Sequence, residues 1–279
     1  PADVVDDSAI YLQIYFGGII FNLIYNMGAG ILRAVGDSKR PLYFLIASCL
    51  TNIVLDIAFV IGLHMGVAGA ALATILSQAL SAVLVLWVLM RTKDMHRLEL
   101  RKIRFDGRMF RRIIRIGLPA GLQSVMYTSS NILIQSSVNA LGTDTVAAWT
   151  AYSKIDSLFW MIVNAFGISI TTFVGQNIGA KEYKRVKKGI FTSWLMCSGI
   201  ILVGSVIMFL KAPFIIGIFT EDAAVISVGS SMIRIFGSAY LFLPIIQILN
   251  GALRGAGRSK VPMYFMLGCF VLLRQIYLM

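Results

Sequence analysis

Asp56 lies inside a long apolar run, where an acid needs a reason to exist. Asn52 and Ser48 precede it at intervals of four, so the three share one face of a helix. A second apolar run begins just past Met65, and Thr74 stands as far beyond Met65 as Asp56 stands before it. In an antiparallel helix pair Asp56 and Thr74 then sit at one depth, about 13 Å from the turn. An ionised carboxylate at that depth is costly, so Asp56 must be neutral, hydrogen-bonded or bound to a cation. Two chemistries fit. One is a proton or sodium site built from Asn52, Asp56 and Thr74. The other is a polar tie between two helices, the commoner outcome for such residues.

Two further polar stripes run along apolar segments. Ser124, Thr128, Asn131, Gln135 and Asn139 fall on one narrow face, and Ser153, Asp156, Trp160, Asn164 and Thr171 on another. Such stripes want water or protein rather than lipid. Asn131, Gln135, Asp156 and Asn164 are therefore candidate contacts in a substrate cavity, with helix–helix bonding as the alternative use. Lys154, Arg234 and Arg274 are the remaining intramembrane charges, and an Asp156–Arg234 bridge is expected. The spacing predicts no catalytic group. His64 and His96 fall in a turn and a linker, and no Cys/His metal pattern, phosphate loop or nucleophile elbow is present. No organic cofactor is implied, and no metal beyond a sodium ion at Asp56. Cys49, Cys197 and Cys269 all lie in apolar runs and read as free thiols.

The elements that position these residues follow from composition. The chain has 279 residues, 58% hydrophobic and 14% charged, with a mean hydropathy of +0.81. That excludes an ordinary soluble globule. Apolar segments at 10–32, 42–63, 67–90, 113–141, 146–178, 189–217, 223–253 and 263–279 predict about eight spans. They lack the alternation of barrel strands and are read as helices. Most of the 25 Lys and Arg fall at 33–40, 91–115, 181–188 and 254–260, on alternate connections. Asp3, Asp6, Asp7, Asp144, Glu221 and Asp222 occupy the other side. The positive-inside rule places the basic set in the cytoplasm. Apolar residues such as Leu100, Ile103 and Phe105 interleave with the cations of 91–115, which reads as an amphipathic linker on anionic lipid. The net charge of +12 is thus assigned to membrane lipid, and no nucleic-acid partner is expected.

Residues 30–44 and 251–265 are an internal repeat at an offset of 221, identical at Gly, Leu, Arg, Gly, Ser, Lys, Pro, Tyr and Phe positions. Both copies follow a helix running the same way, so the repeat is parallel, with its axis along the membrane normal. The expected fold class is all-α integral membrane, with two six-helix lobes related by a parallel pseudo-two-fold axis. The expected domains are 1–90 as the second half of the first lobe, 91–112 as linker and 113–279 as a second lobe. Extending the offset in both directions predicts an intact protein of roughly 440 residues and about twelve spans.

The chain resembles the multidrug and toxic compound extrusion (MATE) family, from that family's fourth helix into its eleventh. The residues that carry the resemblance are the repeated Leu32-Arg33-x-x-Gly36 and Leu253-Arg254-Gly255-x-Gly257, each followed by Pro41 or Pro262. Asn52-x-x-x-Asp56, the 66–74 stretch ending in Thr74, Gly117-Leu-Pro119 and the 175–180 stretch add to it. The resemblance implies a secondary exporter in the cell membrane, a multi-pass monomer that expels amphipathic drugs or organic cations against H⁺ or Na⁺ by alternating access. It also implies that Asn52, Asp56 and Thr74 form the first lobe's cation site. The places of a second-lobe cation site fall on Gln123 and Pro244, neither of them acidic. A related flippase for lipid-linked sugars is the nearest alternative. An integral-membrane enzyme would need clustered acids or histidines that the sequence does not offer.

Overall fold

A computed structural model describes residues 2–269, and among them every regular element is helical. The chain divides into two compact units, Pro1–Arg104 and Phe105–Met279. The division falls inside the basic linker.

The first unit contains α1 (Ala2–Gly17), α2 (Ile19–Ala34), α3 (Lys39–Asp56) and α4 (Gly66–Arg91). A π-helical stretch, Ile57–Gly62, continues α3 to the turn before α4. α4 is the centre, packed against α1, α2 and α3. Its buried face is made of small residues, Gly69, Ala73, Ser77 and Ser81 among them, which let neighbouring backbones come close. Other glycines serve the same approach. A Cβ on Gly18 would strike Ile75, and one on Gly28 would strike Val85. The Ser77 and Ser81 hydroxyls donate to carbonyls one turn back on α4 itself, Thr74 O and Gln78 O, so burial leaves neither donor unmet.

The second unit contains α5 (Gly107–Asn139), α6 (Thr143–Gly179), α7 (Tyr183–Gly217), α8 (Ala223–Ala239), α9 (Leu243–Gly255) and α10 (Lys260–Met266). A single 3-10 turn, Tyr240–Phe242, separates α8 from α9. Asp106 caps α5 by accepting from the Arg108 and Met109 amides, and Asp222 caps α8 through the Ala224 and Val225 amides. α7 kinks at Lys211, two residues before Pro213, whose ring removes a helix hydrogen bond. α6 is the hub of this unit, touching α5, α7, α8 and α9. Its Phe159, Val163 and Ile170 are buried against Ile201 and Met208 of α7, Ile233 of α8 and Ile248 of α9.

Outward-facing side chains are apolar too. Val54, Phe214 and Ile235 are each more than 60% exposed, a pattern stable only in lipid. Among the described residues five helical stretches are long and apolar enough to cross a bilayer, at Lys39–Gly62, Gly66–Arg91, Thr143–Gly179, Tyr183–Gly217 and Ala223–Gly255. A bent pair, Val5–Gly17 with Ile19–Ala34 at 47°, makes a sixth. Sequence predicts eight. α5 has the length but not the hydropathy, because its first turns carry Arg108, Arg111, Arg112 and Arg115 and its body carries the polar stripe. The expected last span continues beyond α10 into 270–279, and that part, with Arg274, lies outside the described residues.

The internal repeat is visible in the backbone. At the end of α2, Gly36 N–H donates to Arg33 O and Asp37 N–H to Leu32 O. At the end of α9, Gly257 N–H donates to Arg254 O and Arg258 N–H to Leu253 O. These are two Schellman caps, and their glycines have φ of 91° and 75°, where an L side chain is strained. The repeat reaches further than its matching residues. The helix break at Gly18 in the first unit has its counterpart at Ala239, next to the 3-10 turn of the second.

Candidate functional site

In the first unit the candidate cation residues share the α3–α4 contact. The Ser48 hydroxyl donates to Ser77 O at 2.6 Å, and Phe59 lies against Gly69. That register puts Asn52 level with Thr74 and Asp56 about one turn nearer the 63–65 turn. The expected equal depth of Asp56 and Thr74 is therefore off by about a turn. The π-helical stretch fits more residues into each turn, so an α-helical count overstates Asp56's distance from the end. Thr74 does not bond to Asp56. Its hydroxyl donates to Ala70 O at 2.9 Å. Asp56 Oδ1 and Asn52 Nδ2 are both buried without a hydrogen-bond partner, as is Gln78 Oε1 on α4. Buried polar atoms are nearly always paired, so an unpaired acid oxygen and an unpaired amide on one helix face are costly and ask for an occupant.

In the second unit the polar stripes divide into two separate places. The first is a cavity of about 520 Å³ between α5, α6, α9 and α10. Asn131 and Asn164 line it, with Gln123, Tyr127, Trp160, Gln247, Asn250 and Arg254. The Tyr127 and Trp160 rings meet at 5.4 Å between centroids and form an aromatic wall. Gln247 Nε2 donates to Asn164 Oδ1 at 2.7 Å. Arg254 donates to Gln123 Oε1 at 2.9 Å, and Gln123 is buried. Arg254 Nε is buried with no partner. Among the described residues no carboxylate lines the cavity.

The second place holds the other two candidates. Gln135 Oε1 accepts from the Trp149 indole at 3.0 Å, and its amide donates to Asn139 at 3.0 Å. Asp156 Oδ1 accepts from Tyr240 OH at 2.6 Å and from Tyr152 OH at 3.5 Å. The two hydroxyls lie 2.9 Å apart. Neither Gln135 nor Asp156 lines the cavity. The expected Asp156–Arg234 bridge is absent. Among the described residues the ion pairs are Arg40–Asp37 and Lys102–Glu99, and Arg234 is exposed. Depth on two helices was compatible with that bridge, but the 3-10 turn brings Tyr240 to the acid.

Sequence reading missed Tyr152, Tyr240 and Arg254. Nothing in the spacing marks the tyrosines. Arg254 reads as a loop cation at the head of 254–260, yet it occupies the last turn of α9, where side chains lean back toward the helix N-terminus and hence into the membrane.

Membrane-length helices around a central helix in each unit, with polar sites buried among them, define a multi-pass integral membrane protein. The MatE family model matches residues 1–58 and 119–277. The chain belongs to that family. It is 31% identical over 274 residues to the probable multidrug resistance protein YpnP of Bacillus subtilis, covering 98% of this chain and 61% of the relative. It is 28% identical over 267 residues to the probable multidrug resistance protein NorM of Thermotoga maritima, covering 94% and 57%. A crystal structure of MATE in the bent conformation superimposes with a TM-score of 0.87 at 22% identity, over 94% of this chain and 58% of that one. The chain thus spans about three fifths of the length of the curated relatives it matches.

Proposed function

We propose that the protein is a secondary exporter of amphipathic small molecules, organic cations among them, in the cell membrane. Uptake of H⁺ or Na⁺ at Asp56 drives the change between inward- and outward-open states. Asn52 and Thr74 complete the ion's surroundings. The observation that carries this reading is the pair of unmet polar atoms, Asp56 Oδ1 and Asn52 Nδ2, buried on one face of α3. A proton would neutralise the acid, and a sodium ion would take oxygen ligands from Asp56, the Asn52 carboxamide and Thr74. The names of the relatives support the cargo class, since YpnP and NorM are both described as probable multidrug resistance proteins.

The test is dye efflux from cells that express the full-length protein. Asp56→Ala should reduce efflux by at least about tenfold, while Asp56→Glu should keep part of it. Wild-type efflux by the alanine variant, at equal membrane abundance, would remove Asp56 from the coupling step.

A further inference from the structure

We infer that the cavity of the second unit is a binding site for an anionic group, and that it accepts flat aromatic compounds bearing a carboxylate. This goes beyond the exporter reading by naming a cargo class other than organic cations, and it rests on that reading only for the word cargo.

The argument starts from charge. Among the described residues Arg254 is the one charged side chain lining the cavity, and no carboxylate lines it. It is drawn in by Gln123, a buried neutral acceptor that satisfies one guanidinium nitrogen and none of the charge. Arg254 Nε, also buried, has no partner. Arg254 as a whole is partly buried, so part of its guanidinium is desolvated without a counter-ion, and its planar fork matches a carboxylate in two parallel bonds. Aromatic shape follows from Tyr127 and Trp160, which line the cavity tilted at 58° to one another and offer aromatic surface to a ligand ring. Asn164 and Gln247 bond to each other at the cavity wall and leave further amide donors and acceptors for a ligand's polar substituents. The volume of about 520 Å³ lies in the range of small-molecule pockets. Asp156, the acid that would have favoured a cation here, does not line the cavity and lies behind its wall, bonded to Tyr240 and to the lining Trp160. The cavity therefore has the polarity opposite to the one the polar stripes alone suggest.

The experiment uses full-length protein in lipid nanodiscs, with binding measured by equilibrium dialysis and corrected against empty discs. The probes are 2-naphthoate, its methyl ester and 2-naphthylmethylammonium, which share one ring system and differ in charge. Wild-type protein should bind the acid at least about tenfold more tightly than the ester, the size of a charge-assisted hydrogen-bond pair. Arg254→Gln should remove that preference while leaving ester affinity unchanged, which also shows that the site is folded. Arg254→Lys should keep part of the preference. Equal binding of acid and ester, tightest binding of the ammonium probe, or a preference that survives Arg254→Gln would each overturn the inference. If Arg254→Gln does not fold, the wild-type ranking and Arg254→Lys still decide. Loss of dye efflux with the acid preference intact would discard the exporter reading and keep the site. Intact efflux without the preference would do the reverse.

Discussion

A buried acid can be met by a cation or by neutral donors, and Asp156 shows the second solution. Two phenols supply the donors, one of them at 2.6 Å from Tyr240, a residue only 4% exposed. Removing that hydroxyl leaves the acid with the longer bond from Tyr152 and the contact with Trp160. Tyr240→Phe should therefore destabilise the protein by about 1–3 kcal/mol, read as a lowered midpoint of thermal unfolding in detergent. Asp156→Asn should cost less, because the carboxamide oxygen can still accept from Tyr240. A larger loss for Asp156→Asn than for Tyr240→Phe would show that the carboxylate has a charged partner after all. Backbone conformation gives a second prediction at this scale. Lys181 ends α6 with φ of 61° and the same pattern of bonds as Gly36 and Gly257, Lys181 N–H to Ile178 O and Glu182 N–H to Asn177 O. A lysine there carries a Cβ that the left-handed region disfavours, so Lys181→Gly should stabilise by about 1 kcal/mol. Gly257→Ala should destabilise by a similar amount, and the two variants measured side by side in one unfolding series give opposite shifts.

Between elements, the contact of α6 with α9 is set by backbone approaching backbone. A Cβ on Gly251 would lie 2.5 Å from Gly167 O, and one on Gly255 would strike Thr171 O. The Thr171 hydroxyl sits at the crossing, 2.7 Å from Gly167 O and 3.0 Å from Gly251 O, with one proton to share between them. A carbonyl on a helix cannot rotate out of the way, so the helices must part. Gly251→Ala should cost about 1–3 kcal/mol despite alanine's better helix propensity. Gly199→Ala on α7 is the control, since nothing lies within 4 Å of its Cβ position. It should gain up to about 1 kcal/mol. These crossings also show what could be read in the sequence. The glycines at 36, 251 and 257, the basic connections and the apolar runs all carry local chemistry, and the helices, the repeat and its two caps follow from them. Helix rotation about its own axis is not local. Sequence places Asp156 and Arg234 at compatible depths but does not say which way each faces, and a 3-10 turn decides in favour of Tyr240. The same limit applies to Arg254, whose position at the inner end of α9 was legible while its turn back toward Gln123 was not. Asn131 and Asn164, one from each stripe, line one cavity, whereas Gln135 and Asp156, about one and two turns away on the same helices, belong to a different contact.

At the scale of the whole molecule the path through the membrane depends on α5. Its 33 residues make a rod of about 50 Å, longer than the hydrocarbon core of roughly 30 Å. Its hydropathy alone does not qualify it as a span, and it is absent from the apolar stretches of membrane length. Its polar face is accounted for by the cavity, which takes Gln123, Ser124, Tyr127 and Asn131. A helix that hides its polar side chains against protein can cross lipid with the remaining face. If α5 crosses, the linker and the α5–α6 turn lie on opposite sides. The α6–α7 turn then returns to the linker's side, and the α7–α8 connection leaves it again. Single-cysteine variants at Lys93, Asp144, Lys184 and Asp222, in a background without Cys49, Cys197 and Cys269, read this directly. A membrane-impermeant maleimide should label Asp144→Cys and Asp222→Cys in intact cells, and Lys93→Cys and Lys184→Cys only after permeabilisation, as the distribution of basic residues requires. Labelling of Lys93→Cys and Asp144→Cys from the same side would mean that α5 lies along the surface. The cavity would then open at an interface rather than within the membrane. Arg254 would face bulk water, and the desolvation that makes its missing counter-ion significant would disappear with it.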